Sequence, residues 1–190
     1  MDPEVPLVVP EVNPEDLRKH KGIISSPNCT TIGLVMALKP LHDVAPITRV
    51  IVTTMQAVSG TGKEAIEELE QQTRAWVEGR EGELPHTVYK RQIAFNVLPY
   101  AETFTENLYT TEELKLSAET RKIMGLPDLP VTMTCTRVPV FVGHSESVLV
   151  EFERKVTPEE AREALSRFPG VRVVDDPFQF VFPTAIDVAG

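Results

Sequence analysis

The sequence predicts an α+β fold with a mixed, largely antiparallel sheet and helices on one face, and three observations carry this. Residues 47–56 alternate and are rich in β-branched side chains, the period of a half-buried strand. Amphipathic stretches with helix-capping signals separate this strand from later ones at 131–138 and 147–152. Those two later strands are joined closely, through 139–146.

Taken in order, residues 3–13 are Pro-rich and extended (Val5-Pro6-Leu7-Val8-Val9-Pro10), because proline removes a ladder donor and biases its predecessor away from helix. Ile23-Ile24 is a candidate short buried strand, broken by Ser25-Ser26-Pro27-Asn28. A helix follows from Cys29 to about His42; it is apolar nearly all round (Ile32, Leu34, Val35, Met36, Leu38, Leu41) and so should be buried. In the strand 47–56, Val50, Val52, Thr54 and Gln56 share one face. Ser59-Gly60-Thr61-Gly62 ends it. An amphipathic helix follows, with Ile66, Leu69, Thr73, Trp76 and Val77 at helical spacing. Residues 93–98 read as a short strand stopped by Pro99. Thr110 with Glu113 forms a capping box for a helix ending near Gly125, and Thr157 with Glu160 caps another. Residues 171–174 are a last strand candidate.

Bulk properties exclude several classes. No apolar run approaches the ~20 residues that span a bilayer, and the N-terminus has no basic region or apolar core of a signal peptide. The net charge of −9 opposes nucleic-acid binding. The two cysteines, Cys29 and Cys135, are expected to be thiols rather than a disulfide. An acidic protein that binds an anion needs a few well-placed cations, which draws attention to each Arg and Lys near a candidate site.

Cys29 follows a Pro-Asn turn and opens a helix, where exposed N–H groups and the helix dipole favour a thiolate. The same residue reads equally well as a small buried hydrophobe. Cys135, mid-strand in line with Val131 and Met133, reads as core filling. A thiolate nucleophile needs an acid or base. His20 lies in a charged run, His42 at a helix C-terminus and His86 in a polar loop; each has an ordinary explanation. His144 sits in the bend Gly143-His144-Ser145-Glu146-Ser147 between two strands, where rigid elements present catalytic groups. Arg137 shares its strand face with Val131, Met133 and Cys135 and so must find an anion, either a structural carboxylate or a ligand's. Glu112 and Lys115 are neighbours on a helix, the commonest pattern of a surface ion pair. Gly62-Lys63 is not a phosphate loop, since Ala57 replaces its first glycine and Glu64 its Ser/Thr; no G-x-G-x-x-G follows a strand, and no Cys/His cluster has zinc spacing.

These signals, in this order, resemble the aspartate-semialdehyde dehydrogenase family. Ser26-Pro27-Asn28-Cys29-Thr30-Thr31 resembles its nucleophile motif, and Gln56-Ala57-Val58-Ser59-Gly60-Thr61-Gly62 a second motif. Asn96-Val97-Leu98-Pro99 is similar to a third. Glu112-x-x-Lys115, in a helix continuing Glu119-Thr120-Arg121-Lys122-Ile123, is similar to a fourth, and Arg137-Val138-Pro139-Val140-Phe141-Val142-Gly143-His144 to a fifth. The likeness runs over nearly the whole chain.

The resemblance implies a glyceraldehyde-phosphate-dehydrogenase-like C-terminal domain. Residues 1–20 would be a domain-junction segment and 21–190 the catalytic and dimerisation domain, with the family's Rossmann half and its closing strand and helix absent. It implies that Cys29 adds to aspartate semialdehyde, that hydride passes to NADP, and that phosphate attacks the resulting thioester to give aspartyl phosphate. Biosynthesis runs the reverse way, toward lysine, methionine and threonine. His144 would be the acid/base; Asn28, Gln56, Glu112, Lys115 and Arg137 would bind or orient substrate and phosphate; Ser59 and Gly60 would face the nicotinamide. The implied assembly is a cytoplasmic homodimer or tetramer without metal, inactive as the isolated piece. A non-catalytic dimerisation module, a related acyl-phosphate reductase and a Cys-His hydrolase stand as alternatives.

Overall fold

The computed structural model describes every residue except Met1, Pro3, Glu81, Glu83 and Gly190 (and only the backbone of Val188), so the Pro3 start of the extended segment and the Gly190 end lie outside the described residues. Three strands, β1 (Ile47–Gln56), β2 (Val131–Arg137) and β3 (Ser145–Phe152), form one sheet in the order β2-β1-β3. Beside β1, the partners of β2 advance with it: Val50 N–H donates to the Pro130 carbonyl and Val138 N–H to that of Gln56. That pair is therefore parallel. Against β3 the numbering runs in opposite senses, with Arg49 paired to Glu151 and Glu153 N–H donating to the Pro46 carbonyl, so the sheet is mixed. Among the described residues four α-helices accompany it: α1 (Cys29–Val44), α2 (Lys63–Val77), α3 (Thr111–Met124) and α4 (Pro158–Arg167).

The chain divides into two compact units. The first comprises Met1–Val52, Leu114–Met133 and Val148–Phe182; the second comprises Thr53–Glu113, Thr134–Ser147 and Pro183–Gly190. In the first unit α1 packs on α4, and Leu7, Val9, Val12, Val35 and Ile123 form a core flanked by Ile32, Met36 and Phe168. The capping box expected at Thr157 and Glu160 opens α4. His42, at the end of α1, accepts the Ile47 N–H on Nδ1, so the imidazole caps the turn into β1.

In the second unit Val58, Ala65, Leu69, Tyr89, Ile93, Ala94 and Leu98 form the core. A buried polar clasp shapes the loop that follows α2. The Glu68 carboxylate accepts the N–H groups of Thr87, Val88 and Tyr89 and the Thr87 hydroxyl, while the Gln72 amide accepts the N–H groups of Ile93 and Ala94 and donates to the Pro85 carbonyl. These five backbone N–H groups are thereby satisfied without a strand.

That clasp explains two corrections. Residues 93–98 are not a strand; Gln72 takes the N–H groups of Ile93 and Ala94, and only Leu98 bridges, to Arg137. The buried face of α2 is Ala65, Glu68, Leu69, Gln72 and Ala75, so Trp76 is 48% exposed, its ring tilted at 51° against that of Phe95, and Val77 is exposed too. Ile23 and Ile24 are also exposed, Ile23 at 67%, and form no strand; the nearest pairing is a single Leu7–Ser25 bridge. Residues 171–174 are irregular. Elsewhere the expected boundaries hold to within two residues, and the alternation of β1 and β2 matches the burial pattern. Among the described residues no helix is long and apolar enough to cross a membrane, and no group of acidic, His and Cys side chains could hold a metal ion.

Candidate active site

In the first unit Cys29 is the first residue of α1 and exposed. The N-cap Asn28 accepts the Thr30 N–H on its side chain at 2.8 Å, which leaves the thiol at the head of the dipole. One oxygen of Glu119 accepts both the Asn28 N–H at 2.9 Å and the Thr31 hydroxyl at 2.7 Å. Glu119 is 3% exposed and lies on α3 one turn after Lys115, which is exposed. Its role was not anticipated from its motif. The signal was its place on the apolar stripe of α3, with Leu116, Thr120 and Ile123, where a carboxylate must have donors.

In the second unit, His144, Arg137 and Gly60 gather around the peptide of Ala57, which the sequence did not single out as a site residue. The Ala57 N–H donates to Nδ1 of His144 at 3.0 Å, and the Ala57 carbonyl accepts from Nη1 of Arg137 at 3.0 Å. Because Nδ1 is an acceptor, the neutral ring carries its proton on Nε2. Burial, and then the adjacent Arg137 charge, hold His144 below the usual imidazole range. Gly60 lies against both groups: a Cβ there would stand 3.0 Å from His144 Cε1 and Nε2 and 3.1 Å from Arg137 Nη1, so a larger residue would press on both side chains, which would have to give by a few tenths of an ångström. Ser59 is held beside it by its N–H to the Phe141 carbonyl. Gly143, with φ +90°, turns the chain into His144 against the backbone of Ala185.

Gln56, 1% exposed at the end of β1, donates to Thr54 and to Glu112 Oε1 at 3.2 Å. Glu112 is 3% exposed and so meets Gln56 in the interior rather than on the surface. Arg137, 5% exposed, is paired through its backbone with Leu98, and its Nε has no hydrogen-bond acceptor among the described residues. It lines a cavity of about 420 Å³ with Gly60, Thr61, Tyr89, Lys90 and Tyr100. Cys135 is fully buried, its N–H bound to Glu113, and burial pushes its thiol up to about 12, as core filling requires.

The family model described as "Semialdehyde dehydrogenase, dimerisation domain" matches residues 38–190. The chain belongs to this family. An aspartate-semialdehyde dehydrogenase of Aquifex aeolicus is 54% identical over 193 residues, covering 100% of the chain and 56% of that relative. The crystal structure of aspartate semialdehyde dehydrogenase II from Vibrio cholerae superposes with a TM-score of 0.91 at 42% identity over 100% of the chain and 56% of its own, and a second structure of that enzyme is complexed with ASA. The chain thus spans about half the length of these semialdehyde dehydrogenases.

Proposed function

We propose that this chain is the catalytic and dimerisation part of an NADP-dependent aspartate-semialdehyde dehydrogenase, a biosynthetic oxidoreductase that interconverts L-aspartyl-4-phosphate with L-aspartate 4-semialdehyde and phosphate. Residues 1–20 serve as its junction segment and 21–190 as its catalytic domain. The observation that carries the reading is Arg137, a buried guanidinium at a cavity wall with an Nε donor that no described residue meets, placed against Gly60 and the His144 imidazole. A buried cation with spare donors calls for an anionic ligand, and a carboxylate fits the guanidinium fork.

Cys29 is the nucleophile: its sulfur bonds to the aldehyde carbon, and the thioester later held there is cleaved by phosphate. Arg137 binds the substrate carboxylate, and Gln56, braced by Glu112, orients the substrate. Lys115 and Glu112 shape the phosphate and substrate sites, and Asn28 orients the nucleophile's turn. His144 is the acid/base group; with Nδ1 occupied by Ala57 it exchanges its proton at Nε2. NADP, when bound, supplies the hydride chemistry. Ser59 and the exposed Gly60 would face the nicotinamide.

The assembly is a homodimer, with a tetramer as the larger alternative, in the cytoplasm. Exposed Met55 on β1 and Val148 and Leu149 on β3 provide apolar surface for association. Small-molecule substrates, without nucleic acid or membrane, accord with the net charge of −9. The decisive test is phosphate-dependent NADP reduction by the whole dehydrogenase. Cys29→Ala should abolish turnover while substrate still binds; retained turnover would remove Cys29 from the mechanism. The 190-residue chain alone should sediment as a dimer without turnover.

A further inference from the structure

We infer that Glu119 is a positioning residue for Cys29: its buried carboxylate holds the backbone immediately before the nucleophile and so sets the origin from which the thiol is aimed. The local capping of α1 does not need it, because Asn28 already accepts the Thr30 N–H. Glu119 instead comes from 91 residues away and binds both sides of Cys29, the Asn28 N–H before it and the Thr31 hydroxyl after it, through a single oxygen, Oε2. A carboxylate 97% hidden from water is costly unless its donors are fixed, so the two donors and the acceptor define one another's positions. Those two bonds tie the first turn of α1 to α3, the helix that also carries Lys115 one turn earlier. The geometry therefore links the nucleophile's turn to a helix of the substrate site by a rigid, charge-assisted contact.

This inference rests on Cys29 being the nucleophile, and the test separates the two claims. Because both bonds reach one oxygen, Glu119→Gln can keep them with its amide oxygen, whereas Glu119→Ala loses both. Iodoacetamide labelling of the chain, mapped by mass spectrometry, reads Cys29, and the buried Cys135 reports any opening of the fold. With Cys135 protected, Glu119→Ala should slow Cys29 labelling by about tenfold or more, and Glu119→Gln should restore it to within about threefold of the parent. Labelling of Cys29 within about threefold of the parent in Glu119→Ala would overturn the positioning role. If Glu119→Ala exposes Cys135, Thr31→Val decides instead: a slowing of about threefold or more supports the role, and unchanged labelling overturns it. A parent chain whose Cys29 labels no faster than Cys135 would sink the nucleophile assignment itself.

Discussion

Replacing Arg137 with lysine separates a ligand clamp from a structural cation. The charge is kept, but the planar fork becomes a single ammonium. In the fold Arg137 contributes one side-chain hydrogen bond, Nη1 to the Ala57 carbonyl, and a backbone pairing with Leu98 that any residue would make. Losing the first costs about 1 kcal/mol, or about 2–4 °C in melting temperature for a chain of this size. The ligand loses more: one charge-assisted bond of a bidentate pair is worth about 1.5–3 kcal/mol, which corresponds to about 10- to 150-fold in Kd. Calorimetric titration with aspartate semialdehyde or an unreactive carboxylate analogue gives the affinity, and differential scanning gives the stability. Unchanged affinity with a melting point lowered by ten degrees or so would make Arg137 structural and refute the clamp.

Three further outcomes follow from the same geometry. At pH 8 a thiol pushed up to about 12 is only about 10⁻⁴ thiolate, so Cys29 should be alkylated while Cys135 stays intact; the opposite order in peptide mapping would contradict the assignment. Burial raises the Glu146 carboxyl to about 7, so the folded state resists ionising it and stability is lost as pH rises from the unfolded value near 4.3 toward 7. Glu146→Gln should therefore raise the melting temperature more at pH 8 than at pH 4, and an equal change at both would refute this. Gly60→Ala should displace the His144 ring and weaken substrate binding by about tenfold while melting stays within a few degrees, because Gly60 itself is exposed; an unshifted His144 Cε1 proton resonance would show the close contact to be tolerant.

The candidate site residues stand out in the sequence because they break local rules. An Arg on an apolar strand face, a Cys at a helix start and a His in a bend between strands each stand out against their neighbours, and the order of five motifs joined them into one family. Ala57 breaks no rule that a linear reading detects, and Glu119 stands out only as a carboxylate on the apolar stripe of α3, with nothing in the sequence to say which donors it meets. Ala57 acts only through its peptide group, and every residue has one; Glu119 acts on donors 88 and 91 positions away.

The sequence by itself determined those elements whose signal is local. These are the period-2 strand at 47–56, the capping boxes at Thr110–Glu113 and Thr157–Glu160, and the helix opened by Asn28 and Cys29. Periodicity and capping act within a few residues, and at these positions the tertiary contacts do not oppose them. Only the tertiary structure decided which face of α2 is buried and why 93–98 is not a strand. Glu68 and Gln72 turn inward because their carboxylate and amide satisfy the loop's N–H groups, and this outweighs the hydrophobic preference of Trp76 and Val77. It also decided which nitrogen of His144 carries the proton, because that depends on one backbone N–H, at Ala57, brought from 87 residues away.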